Sequence, residues 1–246
     1  MKIAAICCTY KRPTLLAEAI ECFVRQDYPA DLRELIVLDD AGQYGNQRGD
    51  GWRAVSLPVR FRTLGEKRNA SAALVSADVD AYCVWDDDDI YLPWHMSAAV
   101  AALAEADYTI PTVVYSDKRG RLERKGNQYL FHGAWAFRRE AFVRVCGYPF
   151  MQSGQDQGLL RRFKDAKLRR ADPIQQDPRP SYVYRWYTAH SHHISALGKD
   201  GYERLGRIAA GRAPTITPRW SQDWLALHAA ASPTQTEELH EHSSAQ

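Results

Sequence analysis

The chain has 246 residues, 45% hydrophobic and 25% charged, with a formal net charge of +2. That is material for one sizeable α/β domain or at most two small ones, and the near-balanced charge gives no general argument for a nucleic-acid or membrane partner. No run of about 18 apolar residues occurs, so no transmembrane helix is expected.

Met1–Cys8 carries one charge and a short apolar stretch. Thr9-Tyr10-Lys11-Arg12-Pro13 follows it without a small-residue cleavage pattern, so the segment reads as a buried first strand rather than a secretory signal. Leu15, Leu16, Ala19, Ile20, Phe23 and Val24 then recur at helical spacing, with Thr14 as the expected N-cap. Leu35–Leu38 is a second apolar run ending in Asp39-Asp40. Strand, helix, strand in this order forces a right-handed parallel crossover. Ala41–Asp50 reads as a loop, Val59–Leu64 as a third strand, Glu66–Ser76 as a helix and Ala81–Trp85 as another strand. Pro93 opens a helix through about Glu105. Strands are expected at Thr112–Ser116, Arg121–Leu130 and Ser181–Tyr187, and helices at Arg138–Val145 and Asp156–Lys164. Residues 232–246 read as a disordered polar tail. The five cysteines, Cys7, Cys8, Cys22, Cys83 and Cys146, form no CxxC pair and read as reduced core residues of a cytosolic protein.

The strongest chemical signal is Asp86-Asp87-Asp88-Asp89, between an apolar strand and a helix. Four consecutive carboxylates repel one another and need compensation. A divalent cation on oxygen ligands, its shell completed by a diphosphate, supplies it. In an open parallel sheet ligands sit at the carboxyl ends of the strands. That rule puts Thr9–Arg12, Asp39-Asp40 and Asp86–Asp89 along one crevice.

An apolar strand, an Asp-x-Asp-Asp run and a Pro four residues later resemble the nucleotide-sugar signature of family 2 glycosyltransferases of the GT-A fold. Other segments match in order: Cys8–Pro13, Leu35–Asp40, the Gly65-Glu66-Lys67-Arg68-Asn69 stretch, His132–Arg139 and Gln155-Asp156. The resemblance covers about residues 1–165. It implies a mostly parallel α/β sheet flanked by helices, with an antiparallel acceptor-side portion. A nucleotide-sugar half would span about 1–110 and an acceptor half about 111–225. It further implies that Thr9, Tyr10, Arg12, Asp40, Lys67, Arg68, Asp86 and Asp87 hold the nucleotide sugar, with Tyr10 near the base and Asp40 accepting from a uracil N–H. Asp88 is the implied ligand of Mn²⁺ or Mg²⁺, with one of the late histidines, His190 or else His192 or His193, as a further contact to the metal or the diphosphate. Asp87 and Asp89 could exchange roles with Asp86 and Asp88. Asp156 is the implied general base of an inverting transfer. The family has Glu-Asp where this chain has Gln155-Asp156, which leaves the base in place. His132 and Trp135 are expected near the acceptor.

The expected activity is transfer of a single sugar from a UDP-sugar to a hydroxyl of a glycan, a lipid-linked sugar or a small molecule, by a cytoplasmic or membrane-peripheral enzyme. Two alternatives stand beside it. Basic stretches at Lys118–Lys125 and Arg161–Arg170, with aromatics at Trp135, Tyr182, Tyr184, Trp186 and Tyr187, would suit a modified nucleic-acid acceptor. A nucleotide-sugar-binding protein without transfer activity would keep the acidic run. Nucleotidyl transfer is disfavoured because no glycine occupies the loop after the first strand.

Overall fold

The computed structural model of the chain describes residues 1–118, 120–185 and 213–231. The first apolar run forms β1 (Ile3–Thr9), with Ile3 to Cys7 at most 2% exposed. Its side chains alternate between two cores. Ile3, Ala5 and Cys7 join one cluster, Ala4 and Ile6 the other, as a strand buried on both faces requires. α1 (Pro13–Val24) brings Leu16, Ala19, Ile20 and Phe23 to the first cluster. The flanking residue is Arg12 rather than the expected Thr14, and no side chain caps the helix. Pro13 already has a helical φ and needs no N–H partner, so the helix starts before Thr14.

β2 (Arg33–Asp39) and a short β3 (Gln47–Gly49) follow, then β4 (Trp52–Ser56). The third parallel strand is thus Trp52–Ser56. Val59–Leu64, expected as that strand, is irregular chain up to Thr63 and then the first turn of α2 (Leu64–Ala73). Thr63 and Glu66 form a reciprocal capping box that starts α2, a local signal strong enough to override the alternation of Val59, Phe61 and Thr63 with Arg60 and Arg62. β5 (Ala81–Asp86) and β6 (Ile90–Tyr91) flank the acidic run, and α3 (His95–Leu103) follows. β7 (Tyr108–Thr109), β8 (Val113–Asp117), β9 (Leu122–Gly126) and β10 (Ala136–Arg138) lead to α4 (Arg139–Arg144) and α5 (Gln155–Asp165). β11 (Arg170–Ala171), β12 (Tyr182–Arg185) and α6 (Trp224–Ala231) complete the described elements. Phe142, Leu159, Leu160 and Phe163 fill the second core cluster.

The large sheet has the order β11-β7-β10-β5-β1-β2-β4-β3. β5, β1, β2 and β4 are mutually parallel, and β10 runs antiparallel to both β5 and β7. From β1 the chain goes to β2 and β4 on one side, then crosses to β5 on the other, so a topological switch point lies between β1 and β5. Thr9 pairs with Asp39 and Cys8 with Asp86, which levels three strand ends at that point. A smaller sheet, β6-β12-β8-β9, packs beside it. Its outer pairings are antiparallel and its central one, β12 with β8, is parallel. The five cysteines are unpaired, and no described helix is long and apolar enough to cross a membrane. His190 and residues 232–246 lie outside the described residues.

His95 opens α3 inside the first core. Its Nδ1 meets Ser181 Oγ at 2.8 Å, while Nε2 has no partner among the described residues. Burial pushes its pKa from 6.5 down to about 3. A base with a lower pKa folded than unfolded binds fewer protons when folded. Its contribution is therefore complete above pH 6.5 and is lost as pH falls towards 3, by about 1.4 kcal/mol per pH unit. Urea unfolding between pH 6 and pH 4.5 is expected to show a flatter pH dependence in His95→Gln than in the wild type; identical slopes would refute the assignment.

Candidate active site

The acidic run turns from β5 into β6, and its four carboxylates find four different environments. The turn is set from below. Trp85 stacks on Tyr91 at 3.8 Å between ring centroids, and the Asp86 N–H donates to the Tyr91 hydroxyl at 2.6 Å. Asp87 is buried. Thr9 Oγ1 donates to it at 2.6 Å, and Arg12 Nη2 stands 2.5 Å from its other oxygen. Burial lifts its pKa to about 6 despite Arg12. Asp89 accepts from the Tyr182 hydroxyl and, at 3.2 Å, from the Arg185 N–H. Burial, with Asp88 and Asp86 nearby, holds it well above the usual carboxylate range. Asp86 and Asp88 keep more exposure, 23% and 11% of their side chains. Each is held by one arginine: Arg68 Nη2 on Asp86 Oδ1 at 2.8 Å, and Arg12 Nη1 on Asp88 Oδ2 at 2.7 Å.

The other strand ends close around them. Lys11 takes a left-handed conformation, φ +55°, uncommon for a residue with a side chain. It turns the chain so that Tyr10 and Arg12 line the same cavity. The two aspartates after β2 divide their work. Asp39 ties down the next loop through Ala41 N–H (2.9 Å), Gln43 N–H (2.7 Å) and Ser56 Oγ (2.7 Å). Asp40 lines the cavity and accepts from Lys67 Nζ at 2.5 Å. Lys67 also donates to the Thr9 carbonyl at 2.5 Å, bracing β1 against α2.

The cavity, about 470 Å³, is lined across from these groups by His132, Gly133, Gln155 and Asp156. Gly133 allows this closeness: a Cβ there would lie 2.9 Å from the Tyr182 ring and 3.0 Å from Asp86 Oδ2. His132 Nε2 meets the Tyr148 hydroxyl at 3.1 Å, and its buried Nδ1 has no partner among the described residues. Burial, then the Arg68 charge, keeps this ring neutral by pushing its pKa well below 6.5. Asn69 clamps the Tyr148 backbone with two hydrogen bonds of 2.9 Å, which explains an asparagine directly after Arg68. Trp135, expected near the acceptor, does not line the cavity. It is 1% exposed and packs edge-on against His132 at 4.9 Å. Its place after the 3-10 turn His132–Ala134, directly before β10, points it into the second core.

Pattern reading missed three charged groups. Arg60 contacts both Tyr10 and Asp40. Arg185 donates to the Asp88 carbonyl at 2.5 Å and to Glu18 at 2.5 Å. Glu18 is the third. Burial raises its pKa, but Arg185 and Ser221 bring it below the usual range. The available signal was a glutamate on the apolar face of α1, which must find a buried partner.

Among the described residues no group of three or more His, Cys, Asp or Glu is arranged to hold a metal ion. Asp86 and Asp88 nevertheless fit a hard cation in kind. They are oxygen donors on a cavity wall, suited to Mg²⁺ or Mn²⁺ that keeps most of its shell for water and phosphate.

Residues 4–169 match the model of glycosyl transferase family 2, and the chain belongs to that family. No curated protein matches the chain. Among solved structures, Staphylococcus aureus TarS 1–349 in complex with UDP-GlcNAc is similar at a TM-score of 0.61 and 15% identity, over 77% of this chain and 60% of that one. The TarS 1–349 crystal structure without a named ligand gives 0.59, 15%, 75% and 60%. The mannosyltransferase PcManGT from Pyrobaculum calidifontis, in complex with GDP-Man and Mn²⁺, gives 0.59 and 18%, over 99% of this chain and 79% of that one. The chain spans about three fifths of the TarS fragment's length. At these identities the likeness is one of fold, and that fold is the GT-A type.

Arg12 joins the two central carboxylates, so Arg12→Ala leaves Asp87 buried without its counter-charge. The expected loss is about 3–5 kcal/mol of unfolding free energy. Lys118→Ala, which breaks an exposed pair with Glu123 at 3.7 Å, costs less than about 1 kcal/mol. Urea unfolding of both variants checks the contrast, and comparable losses would contradict it.

Proposed function

We propose that the chain transfers a single sugar from a UDP-sugar to a hydroxyl acceptor, with inversion at C1. The observation that carries this reading is the convergence of Tyr10, Asp40, Asp86, Asp88 and Asp156 on one cavity at the switch point of the sheet. Membership of glycosyl transferase family 2 supports it, as do neighbours of the same fold whose complexes hold UDP-GlcNAc or GDP-Man. In this reading residues 1–110 form the nucleotide half and 111–225 the acceptor half.

The donor's base stacks near Tyr10, and its N–H points to Asp40, an acceptor-only group when ionised. Asp88, with Asp86 beside it, is the ligand proposed for Mn²⁺ or Mg²⁺. Such an ion would neutralise charge on the leaving diphosphate. Arg12 and Arg68 keep those two carboxylates oriented. His132 Nδ1, neutral and unpartnered among the described residues, accepts a hydrogen bond from a sugar or acceptor hydroxyl. Asp156, the second residue of α5, takes the proton of the acceptor hydroxyl as its oxygen bonds to C1. The bond from C1 to the diphosphate oxygen breaks on the opposite face. The acceptor is a glycan, a lipid-linked sugar or a small molecule.

Release of UDP from UDP-sugars with Mn²⁺ present, together with donor affinity by calorimetry, tests this. Asp156→Asn is expected to lower release about 10²–10⁴-fold with donor affinity unchanged. Donor binding without release under any acceptor would reduce the protein to a binder. Absence of binding by any nucleotide sugar would remove the reading altogether.

A further inference from the structure

The place that a base would take between Tyr10 and Asp40 is filled by a side chain of the protein itself. The Arg60 guanidinium lies 3.7 Å from the centre of the Tyr10 ring, and its Nη1 donates to Asp40 Oδ1 at 2.5 Å. All three residues line the cavity. A guanidinium is planar, stacks on aromatic faces and carries in-plane N–H donors. It thus makes the two contacts required of a nucleobase here, a stack on the tyrosine and an N–H to the carboxylate. A base that stacked on this face of Tyr10 and donated to Asp40 Oδ1 would take the place that Arg60 now holds.

Asp40 has a second cation, and the two differ in how fixed they are. Lys67 comes from α2, is 6% exposed along its side chain, and also bonds the Thr9 carbonyl. Arg60 comes from the irregular chain between β4 and α2 and is 36% exposed. With Arg60 gone, Asp40 still holds Lys67 and the Phe61 N–H at 3.2 Å, so no buried charge is left unpaired. We propose that Arg60 is an intramolecular stand-in for the nucleobase, which the donor must displace to bind. The inference rests on the nucleotide-sugar reading of the site. Its consequence is a lowered apparent affinity for the base. If the vacated state is one fifth of the population, apparent affinity is about fivefold weaker than intrinsic.

The test compares wild type, Arg60→Ala and Arg60→Gln, each with a wild-type-like thermal midpoint, as binders of UDP, uridine and inorganic pyrophosphate with Mn²⁺. Uridine carries no phosphate, so loss of the Arg60 charge cannot weaken it by removing attraction to a diphosphate. Both variants are expected to bind uridine about three- to tenfold more tightly than wild type, with no gain for pyrophosphate. Equal or weaker uridine binding by the variants, with UDP bound by wild type, would overturn the stand-in and make Arg60 an ordinary base contact, while the nucleotide reading survives. If neither wild type nor variants bind UDP or uridine, the nucleotide reading fails and the stand-in with it.

Discussion

Four carboxylates in sequence at the end of a buried strand cannot all be solvated, and they cannot all be ionised without cations at hand. The rest of the structure is arranged around that constraint. Arg12, from the loop after β1, spans Asp87 and Asp88. Arg68, from α2, takes Asp86. Arg185, at the end of β12, donates to the Asp88 carbonyl and presents its N–H to Asp89. Three elements far apart in sequence are thereby fixed to one turn. The arrangement also sorts the carboxylates. Asp87 and Asp89 are consumed by buried partners and hold the turn. Asp86 and Asp88 each spend one oxygen on an arginine and keep exposure on the cavity. Alternation along the acidic run thus separates the carboxylates with buried partners from those that keep more exposure.

The sheet order gives that turn its surroundings. Because β1 lies between β2 and β5, the residues after these three strands are neighbours although they are distant in sequence. α1 and α3, which follow β1 and β5, both pack on the first core cluster and α2 on the second, and at a switch point of this kind a crevice opens between the strand ends. The antiparallel β10 beside β5 brings His132–Gly133 back over the same crevice. Gly133 is the residue whose side chain would otherwise collide with Asp86 and Tyr182.

Much of this was legible in the amino-acid pattern, for definite reasons. β1, β2 and β5 are buried on both faces and therefore appear as unbroken apolar runs. The acidic run stands out because four adjacent carboxylates are costly anywhere. β4 was not legible: it lies next to the short edge strand β3, and its Trp52-Arg53-Ala54-Val55-Ser56 sequence mixes polar and apolar residues. Val59–Leu64 after it alternates apolar residues with Arg60 and Arg62, which is the strand period, yet it forms no strand. Trp135 follows the 3-10 turn directly and packs in the second core, a direction that no local pattern encodes. Arg60 and Arg185 could not be read at all, since each acts through a partner at a sequence separation that no local pattern encodes.

The described part of the chain's end shows the same logic extended to stability. Residues 213–231 bury Ile216 and Trp224, and much of their attachment is polar. Gln47 accepts from the Ile216 N–H at 3.0 Å and donates to the Pro214 carbonyl at 2.9 Å. Arg219 N–H donates to the Ala17 carbonyl at 3.2 Å, and Ser221 N–H to Glu18 at 2.9 Å. Glu18 is the same carboxylate that pairs with Arg185, which in turn holds the Asp88 backbone. A buried glutamate with no partner would be intolerable in α1, so Arg185 and Ser221 satisfy it together. The consequence is that the segment crossing α1 and the acidic turn share one buried ion pair, and loosening either end removes a partner from the other.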